Sequence, residues 1–291
     1  MYAADFDYHR ARSLDEAQQL LAAHPDAKVL AGGHSLIPLM KLRLASPAAV
    51  IDIGRIPELR GIAAGEGGAI RIGSLTTHAE LAASADLRRA APALAEAAAL
   101  VGDPAVRNRG TIGGNIAHAD PASDLPTVLV ALGAQIVAVG PGGERRIDAG
   151  DFFTGIFATT LASDEIIAAV VVPSVARGAG SAYVKFAHPA SRYAVIGVAA
   201  AVTLAEGTCS AAAVALGGLV PFARRATAVE RAIAGQRPDD TAIAAASART
   251  ADDLGPEVNG DLFASADYRR AVAPVYVKRA LSAAVARAGL S

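Results

Sequence analysis

The chain has 291 residues, a hydrophobic fraction of 53% and a formal net charge of -1. That length points to two domains, and that composition excludes a disordered chain. No basic block marks it for nucleic acid or a membrane surface, and its one cysteine, Cys209, allows neither an internal disulfide nor a thiolate-bound metal cluster.

In chain order, "SLDEAQQLLAAH" predicts the first helix. Ser13 and Glu16 have capping-box spacing, and Leu14, Ala17, Leu20 and Leu21 share a face. "AKVLAGG" predicts a short buried strand ending in glycines, and "AVIDIGRI" predicts another. "GIAAGEGGAIRIG" reads as a hairpin turning at Gly67 and Gly68. Thr77 and Glu80 repeat the capping-box spacing, and "APALAEAAALVG" is a helix with Pro92 in its first turn and Gly102 past its end. A long glycine- and Asp/Ser-containing connection, "RNRGTIGGNIAHADPASDLP", leads into an apolar segment, the hairpin "QIVAVGPGGERRID" and the strand "EIIAAVVVP".

The texture changes at residues 177–181. Beyond them lie the strand "YVKFA", a strand hairpin through Glu206 and Gly207, and a mostly helical last third. The expected domains are therefore 1–176 and 177–291. Strands do not alternate with single helices, so the fold class is α+β rather than a doubly wound parallel sheet. The start carries Asp5 and Asp7 and no apolar run, so no signal peptide is expected. Stretches such as "AVIGVAAAVTLA" are too short to span a bilayer.

Two stretches carry chemistry: "AGGHS" (31–35) and "TIGGN" (111–115). Each follows apolar sequence and sets small residues beside hydrogen-bonding side chains. Paired glycines permit positive φ, and successive amides can then converge on an anion. Each loop alone reads more readily as a structural turn. Together they suggest a grip on a diphosphate, with His34, Ser35, Thr111 and Asn115 as added donors. No GxxxxGK[ST] and no GxGxxG after a first strand are present, which argues against a P-loop or a Rossmann site. His34 as a catalytic base stays open, but no serine elbow or Cys–His pairing accompanies it.

In "HADPASDLP", Asp120, Ser123 and Asp124 read either as a turn and helix cap or as groups meeting a ribityl hydroxyl or pyrophosphate edge. Arg107 and Arg109 are either surface charge or phosphate contacts. Aromatics make up only 4% of the chain and tryptophan is absent, so Tyr193 is a scarce candidate for covering a flat ring.

"KVLAGGHSLIPLMKLRLASP" followed by "RNRGTIGGNIAHADPASDLP" closely resembles the FAD-binding medium subunit of molybdenum hydroxylases, within the xanthine dehydrogenase family. The first loop looks most like the aerobic carbon monoxide dehydrogenase branch, and "ASADYRRAVAPVYVKRAL" resembles the ending of those subunits. The resemblance covers essentially the whole chain. It implies a vanillyl-alcohol-oxidase-like FAD-binding domain of two α/β subdomains, plus a smaller C-terminal domain with a three-stranded antiparallel sheet and helices.

It also implies noncovalent FAD. Ala31, Gly32, Gly33, His34 and Ser35 would hold the pyrophosphate region together with Thr111, Gly113, Gly114 and Asn115. Lys28, Val29, Leu30 and Leu36 would flank the cofactor. Val101, Gly102, Ala117 and His118 would lie near it, Ser123 and Asp124 would bind from a third loop, and Ile167 and Lys185 from later strands. Tyr193 would sit at the isoalloxazine face. No acid–base residue is required. The 2Fe–2S clusters and molybdenum cofactor would belong to a small and a large partner subunit, in a cytoplasmic dimer of heterotrimers that passes electrons to an external acceptor. Two other readings are a self-sufficient flavin oxidase and a non-catalytic protein that keeps the fold.

Overall fold

A computed structural model of the chain describes residues 2–174 and 176–289. Met1 and Ser291, the outer limits of the expected domains, lie outside the described residues, as do Val175 and Leu290.

The first subdomain is a parallel sheet. β1 (Asp7–Arg10), β2 (Lys28–Leu30) and β3 (Ala49–Asp52) lie in the order β1-β3-β2, with α1 (Leu14–Ala23) and α2 (Leu36–Lys41) in the connections. Because the strands are parallel, all three end on the same edge. Ser13 Oγ accepts from Glu16 N at 3.1 Å and starts α1. The capping box expected there is half formed, because the Glu16 carboxylate accepts from Arg12 N at 2.7 Å instead of from Ser13 N.

The second subdomain is built on an antiparallel sheet. β4 (Ile62–Ala64), β5 (Ile70–Gly73), β6 (Gln135–Gly140), β7 (Gly143–Asp148) and β10 (Ile166–Val172) run in the order β4-β5-β10-β6-β7. β8 (Phe153–Gly155) and β9 (Ala158–Thr159) pair separately. The helices here are α3 (His78–Ala83), α4 (Ala85–Ala90), α5 (Pro92–Leu100), α6 (Pro104–Arg107), α7 (Ile112–His118), α8 (Asp124–Ala131) and α9 (Ala149–Phe152). Alternation along β6 divides the core. Ile136 and Ala138 join Leu81, Leu94, Ile112, Ile116 and Leu125 under the helices. Val137 joins Ile51, Ile53 and Leu75 against the parallel sheet. The five-stranded sheet is thus sandwiched between α-helices and the first subdomain.

The C-terminal region carries β11 (Ala179–Ala187), β12 (Ala194–Ala205) and β13 (Thr208–Gly217), joined through Glu206 at φ 51 and Gly207 at φ 77. The expected three-stranded sheet gains an edge strand, β14 (Arg224–Arg225), which is too short for sequence alternation to reveal. α10 (Thr227–Ile233), α11 (Asp240–Ala248), α12 (Thr250–Leu254) and α13 (Ala266–Ala288) complete it. Their side chains Val229, Ile243, Val277 and Leu281 bury one sheet face together with Val198 and Leu216. β11 divides its side chains between two neighbours: Ala182, Val184 and Phe186 face the C-terminal helices, whereas Tyr183 and Lys185 reach back to Asp124 of α8. Among the described residues, no helix is long and apolar enough to cross a membrane.

Candidate functional site

The first glycine loop follows β2 across the open edge of the parallel sheet. Gly33 has φ 79, which favours glycine. The amides of Gly32, Gly33, His34 and Ser35 have no backbone or side-chain partner among the described residues. Consecutive free donors of this kind make an anion-binding concavity. His34 Nδ1 lies 3.2 Å from Gly32 O, so its ring folds back on the loop and leaves the amides as the ligand-facing donors.

The second stretch departs from expectation. "TIGGN" is not a second open nest but the first turn of α7, capped by Thr111, whose Oγ1 accepts from Gly114 N at 3.2 Å. Ile112 N donates to Thr76 O at 3.0 Å, Gly113 N to Ser74 O at 2.8 Å and Asn115 N to Thr111 O at 2.9 Å. These amides are spent inside the fold, so what α7 offers a ligand is side chains. Its buried face is Ile112, Gly113 and Ile116; Gly114 and Ala117 are exposed, and Asn115 and His118 half-buried. Asn115 Oδ1 accepts from Ser123 Oγ at 2.8 Å, which leaves its Nδ2 as the donor end. The two stretches do meet. A Cβ on Gly114 would lie 3.8 Å from Ala31 Cβ, and Gly32 packs directly on the Arg109 carbonyl.

A cavity of about 400 Å³ opens at this meeting point, on the C-terminal edge of the parallel sheet. Leu30, Ala31, Gly32 and Gly33 line it after β2, Arg10 ends β1, Asp52, Gly54 and Arg55 follow β3, and Arg60, Thr77, Asn108, Arg109 and Thr111 close it. Four arginines face one carboxylate. Arg10 is taken by Tyr8 and Asp52, and Arg60 donates to Gly54 O at 2.5 Å. Arg55 and Arg109 have no side-chain partner among the described residues. Beneath the rim His78 is 2% exposed, with Gly110 over its ring and Nδ1 without a partner; burial first, then His34, lowers its pKa to about 4.

A second polar cluster sits at the end of α5. Asp124, implied by the resemblance to bind from a third loop, lies 4% exposed, Oδ1 accepting from Tyr183 Oη at 2.6 Å and Oδ2 from Lys185 Nζ at 2.9 Å. Burial raises the Asp124 carboxyl, although Lys185 and Tyr183 both pull it down. Desolvation likewise pushes the Tyr183 phenol well up, with Asp124 adding to it. Lys185 Nζ also donates to Leu100 O at 3.1 Å, and Arg107 Nη1 donates to Val101 O at 2.9 Å and Gly102 O at 3.1 Å. Arg107 is therefore a helix cap, and two cations sit on the negative end of α5. An ammonium has three donors, so one N–H of Lys185 is left with no acceptor among the described residues.

Ser123 is turned to Asn115 and buried, so its hydroxyl is engaged inside the fold. Ile167 is 4% exposed inside β10 and contributes packing under the helices. Lys28 and Val29 lie within β2, and Leu36 opens α2 behind the loop. Tyr193 is 46% exposed, and burial together with Asp120 raises its phenol. The chain from Tyr193 to Asp124 is closed by Ala194 N donating to Ala122 O at 3.1 Å. Tyr183, Arg55 and Arg60 escaped the sequence reading. For Tyr183 a signal existed, since it precedes Lys185 by two residues in a strand and must share its face. A larger cavity of about 660 Å³ among Arg88, Arg225 and Arg287 includes none of the expected site residues.

Residues 4–175 match the family described as FAD binding domain in molybdopterin dehydrogenase, and residues 181–284 the CO dehydrogenase flavoprotein C-terminal domain. The carbon monoxide dehydrogenase medium chain of Hydrogenophaga pseudoflava is 42% identical over 97% of this chain and 98% of its own length. The 6-hydroxypseudooxynicotine dehydrogenase complex subunit alpha of Paenarthrobacter nicotinovorans is 39% identical over 99% of this chain and 97% of its own. In structure, a chain of carbon monoxide dehydrogenase from H. pseudoflava superposes with a TM-score of 0.94 at 44% identity, covering 99% of both chains.

Proposed function

Because the chain belongs to the FAD-binding flavoproteins of the molybdopterin dehydrogenases, we propose that it is the FAD-carrying electron-transfer subunit of a multi-subunit molybdenum hydroxylase. The observation that carries this reading is the row of unpartnered amides at residues 32–35, set over a basic cavity and facing the exposed side of α7. A dinucleotide's diphosphate needs both features, oriented N–H donors and cationic surroundings. Bound FAD supplies a centre able to take electrons singly and release them in pairs. This chain's residues hold and orient it. The amides of Gly32 to Ser35 take the diphosphate oxygens, and Asn115 Nδ2 and the Thr111 cap border them from α7. Arg55 and Arg109 balance the negative charge. Val101, Gly102, Lys185 and Tyr193 border the flavin end, with Asp124 acting through Lys185. Residues 1–176 supply the cradle and residues 177–291 complete it.

The relatives' names keep a medium chain or complex subunit while the substrate changes from carbon monoxide to 6-hydroxypseudooxynicotine. Substrate choice therefore belongs to another chain. We place the 2Fe–2S clusters in a small subunit and the molybdenum cofactor in a large one, in a cytoplasmic dimer of heterotrimers that delivers electrons to an external acceptor.

The test uses the purified full chain. It should be yellow or turn yellow with added FAD, and denaturation should release FAD. Gly114→Val should abolish FAD retention while leaving the chain folded, because a Cβ there presses on the Thr111 Oγ1 cap at 3.0 Å but meets no backbone, and it fills the gap toward Ala31 Cβ at 3.8 Å between the two stretches. A folded wild-type chain that takes up no FAD would overturn the proposal.

A further inference from the structure

Tyr183 is not among the residues named above as cofactor neighbours, yet it shares β11 with Lys185 and its hydroxyl is tied to Asp124. Three contacts define its place. Its Oη donates to Asp124 Oδ1 at 2.6 Å. Its N–H donates to Glu96 Oε2 at 3.1 Å, and Glu96 is itself paired with Arg287. Its ring tip rests over Gly197, where a Cβ would come within 2.6 Å of Oη. Gly197 is the register partner of Lys185 on β12. The tyrosine thus threads through a gap that only a glycine leaves, to reach a carboxylate on the other domain.

The Asp124 carboxylate has its two oxygens divided between two donors of the same strand, Tyr183 and Lys185. With Lys185 and Asp124 side chains 2% and 5% exposed, neither group can turn to water. The other charge whose field reaches Asp124 is Arg192, and Asp124 and Asp120 in turn act on Tyr193. If Tyr183 let go, one carboxylate oxygen would be buried without a donor, a costly arrangement that the carboxylate relieves by swinging or by taking a proton. Either response moves Lys185, the one member with a spare N–H.

We propose that Tyr183 is a positioning residue for the cofactor: its hydroxyl fixes Asp124, Asp124 fixes the Lys185 ammonium, and the remaining Lys185 N–H is thereby held for an acceptor atom of the flavin. This inference rests on the FAD-subunit reading above and deepens it. In it, Tyr183 does not touch the cofactor; it sets how much uncompensated positive charge the cofactor meets.

The test is a redox titration of the FAD-loaded full chain across pH, for wild type, Tyr183→Phe, Gly197→Ala and the double variant. Tyr183→Phe removes the donor; Gly197→Ala pushes it away while keeping it. Without that donor Asp124 takes a proton at higher pH than in the wild type, leaving Lys185 unbalanced, so the flavin midpoint potential of the variants should stand above the wild-type value at the same pH, by an amount that changes with pH as Asp124 titrates. Both single variants should shift in the same direction, with FAD binding weakened roughly tenfold, as expected if the displaced Lys185 ammonium loses its one hydrogen bond to the cofactor. The double variant should be no worse than either single one, because both remove the same contact. Folded variants with wild-type potentials at every pH would overturn the role of Tyr183 and leave the FAD reading intact. Failure of both variants to fold would make Tyr183 structural and overturn it too. A wild-type chain that binds no FAD would instead overturn the reading beneath it.

Discussion

His78 should make this protein acid-sensitive in a defined pH window. Its ring is 2% exposed, packed so that a Cβ on Gly110 would lie 2.8 Å from Cδ2 and 2.9 Å from Nε2, and its Nδ1 has no partner. Such a ring is buried neutral, and burial holds its pKa at about 4 against an ordinary 6.5. Between those values the unfolded chain binds the extra proton, so stability rises with pH. The contribution is complete above about 6.5 and is lost as pH falls through about 4. At 1.36 kcal/mol per pH unit the full span is worth about 3 kcal/mol. The assay is urea unfolding of wild type and His78→Phe at steps from pH 8 to pH 4. The phenyl ring keeps the shape and cannot titrate. Its repacking cost is a constant offset, so only the difference in slope matters. Wild type should lose about 3 kcal/mol more than the variant across the window. Parallel curves would refute the reasoning, because they would mean that the ring is either hydrated or already charged in the folded chain.

Two further outcomes follow from the site. Lys185→Met should destabilise the chain by about 3 kcal/mol in urea unfolding near neutral pH, since it strands Asp124 inside, while adding Asp124→Asn should recover part of the loss; a single variant within 1 kcal/mol of wild type would show that the pair is solvated. Arg109→Ala should raise the FAD dissociation constant several-fold at low salt, with the difference from wild type shrinking as salt is raised, because its exposed guanidinium acts on the diphosphate through a screened charge. A salt-independent change in affinity measured by fluorescence titration would argue for a lost direct contact instead.

Much of the frame was legible because local signals agreed with each other. The Thr77–Glu80 box, the Gly67–Gly68 hairpin, the Pro92 helix start and the Glu206–Gly207 turn all appear where their chemistry demands. What escaped depended on contacts between distant segments. Ser13 and Glu16 have the spacing of a box, yet Glu16 found a better donor in Arg12 N. Asp124 carries turn chemistry, but its partners lie 59 and 61 residues away on one strand. Ile167, implied as a cofactor neighbour only by the resemblance, has its environment set by core packing under the helices, which no local sequence signal announces. Of the cationic side of the cavity only Arg109 was flagged in the sequence, because Arg10, Arg55 and Arg60 join it only when three parallel strands end on one edge.

The paired glycines of "TIGGN" show why a motif can be identified correctly and explained wrongly. Read as a sequence, Gly113 and Gly114 are equivalent and suggest a flexible loop. In the fold they do different work. Gly113 faces inward, where a Cβ would meet Ser74 Cβ at 2.5 Å and the Ser74 carbonyl at 2.9 Å, so its smallness joins α7 to the strand-to-helix connection after β5. Gly114 faces out toward Ala31, where nothing of the protein's backbone crowds it. Packing on backbone therefore accounts for the first glycine, whereas at the second a Cβ would press only on the Thr111 Oγ1 cap at 3.0 Å. Beyond that single contact the space toward Ala31 is clearance through which a ligand can approach. The same separation applies across the two stretches, where Gly32 is held by the Arg109 carbonyl while the amides from Gly32 to Ser35 go unused. The grip is accordingly asymmetric: backbone donors on one side, and on the other a rigid helix that lends side chains and clearance.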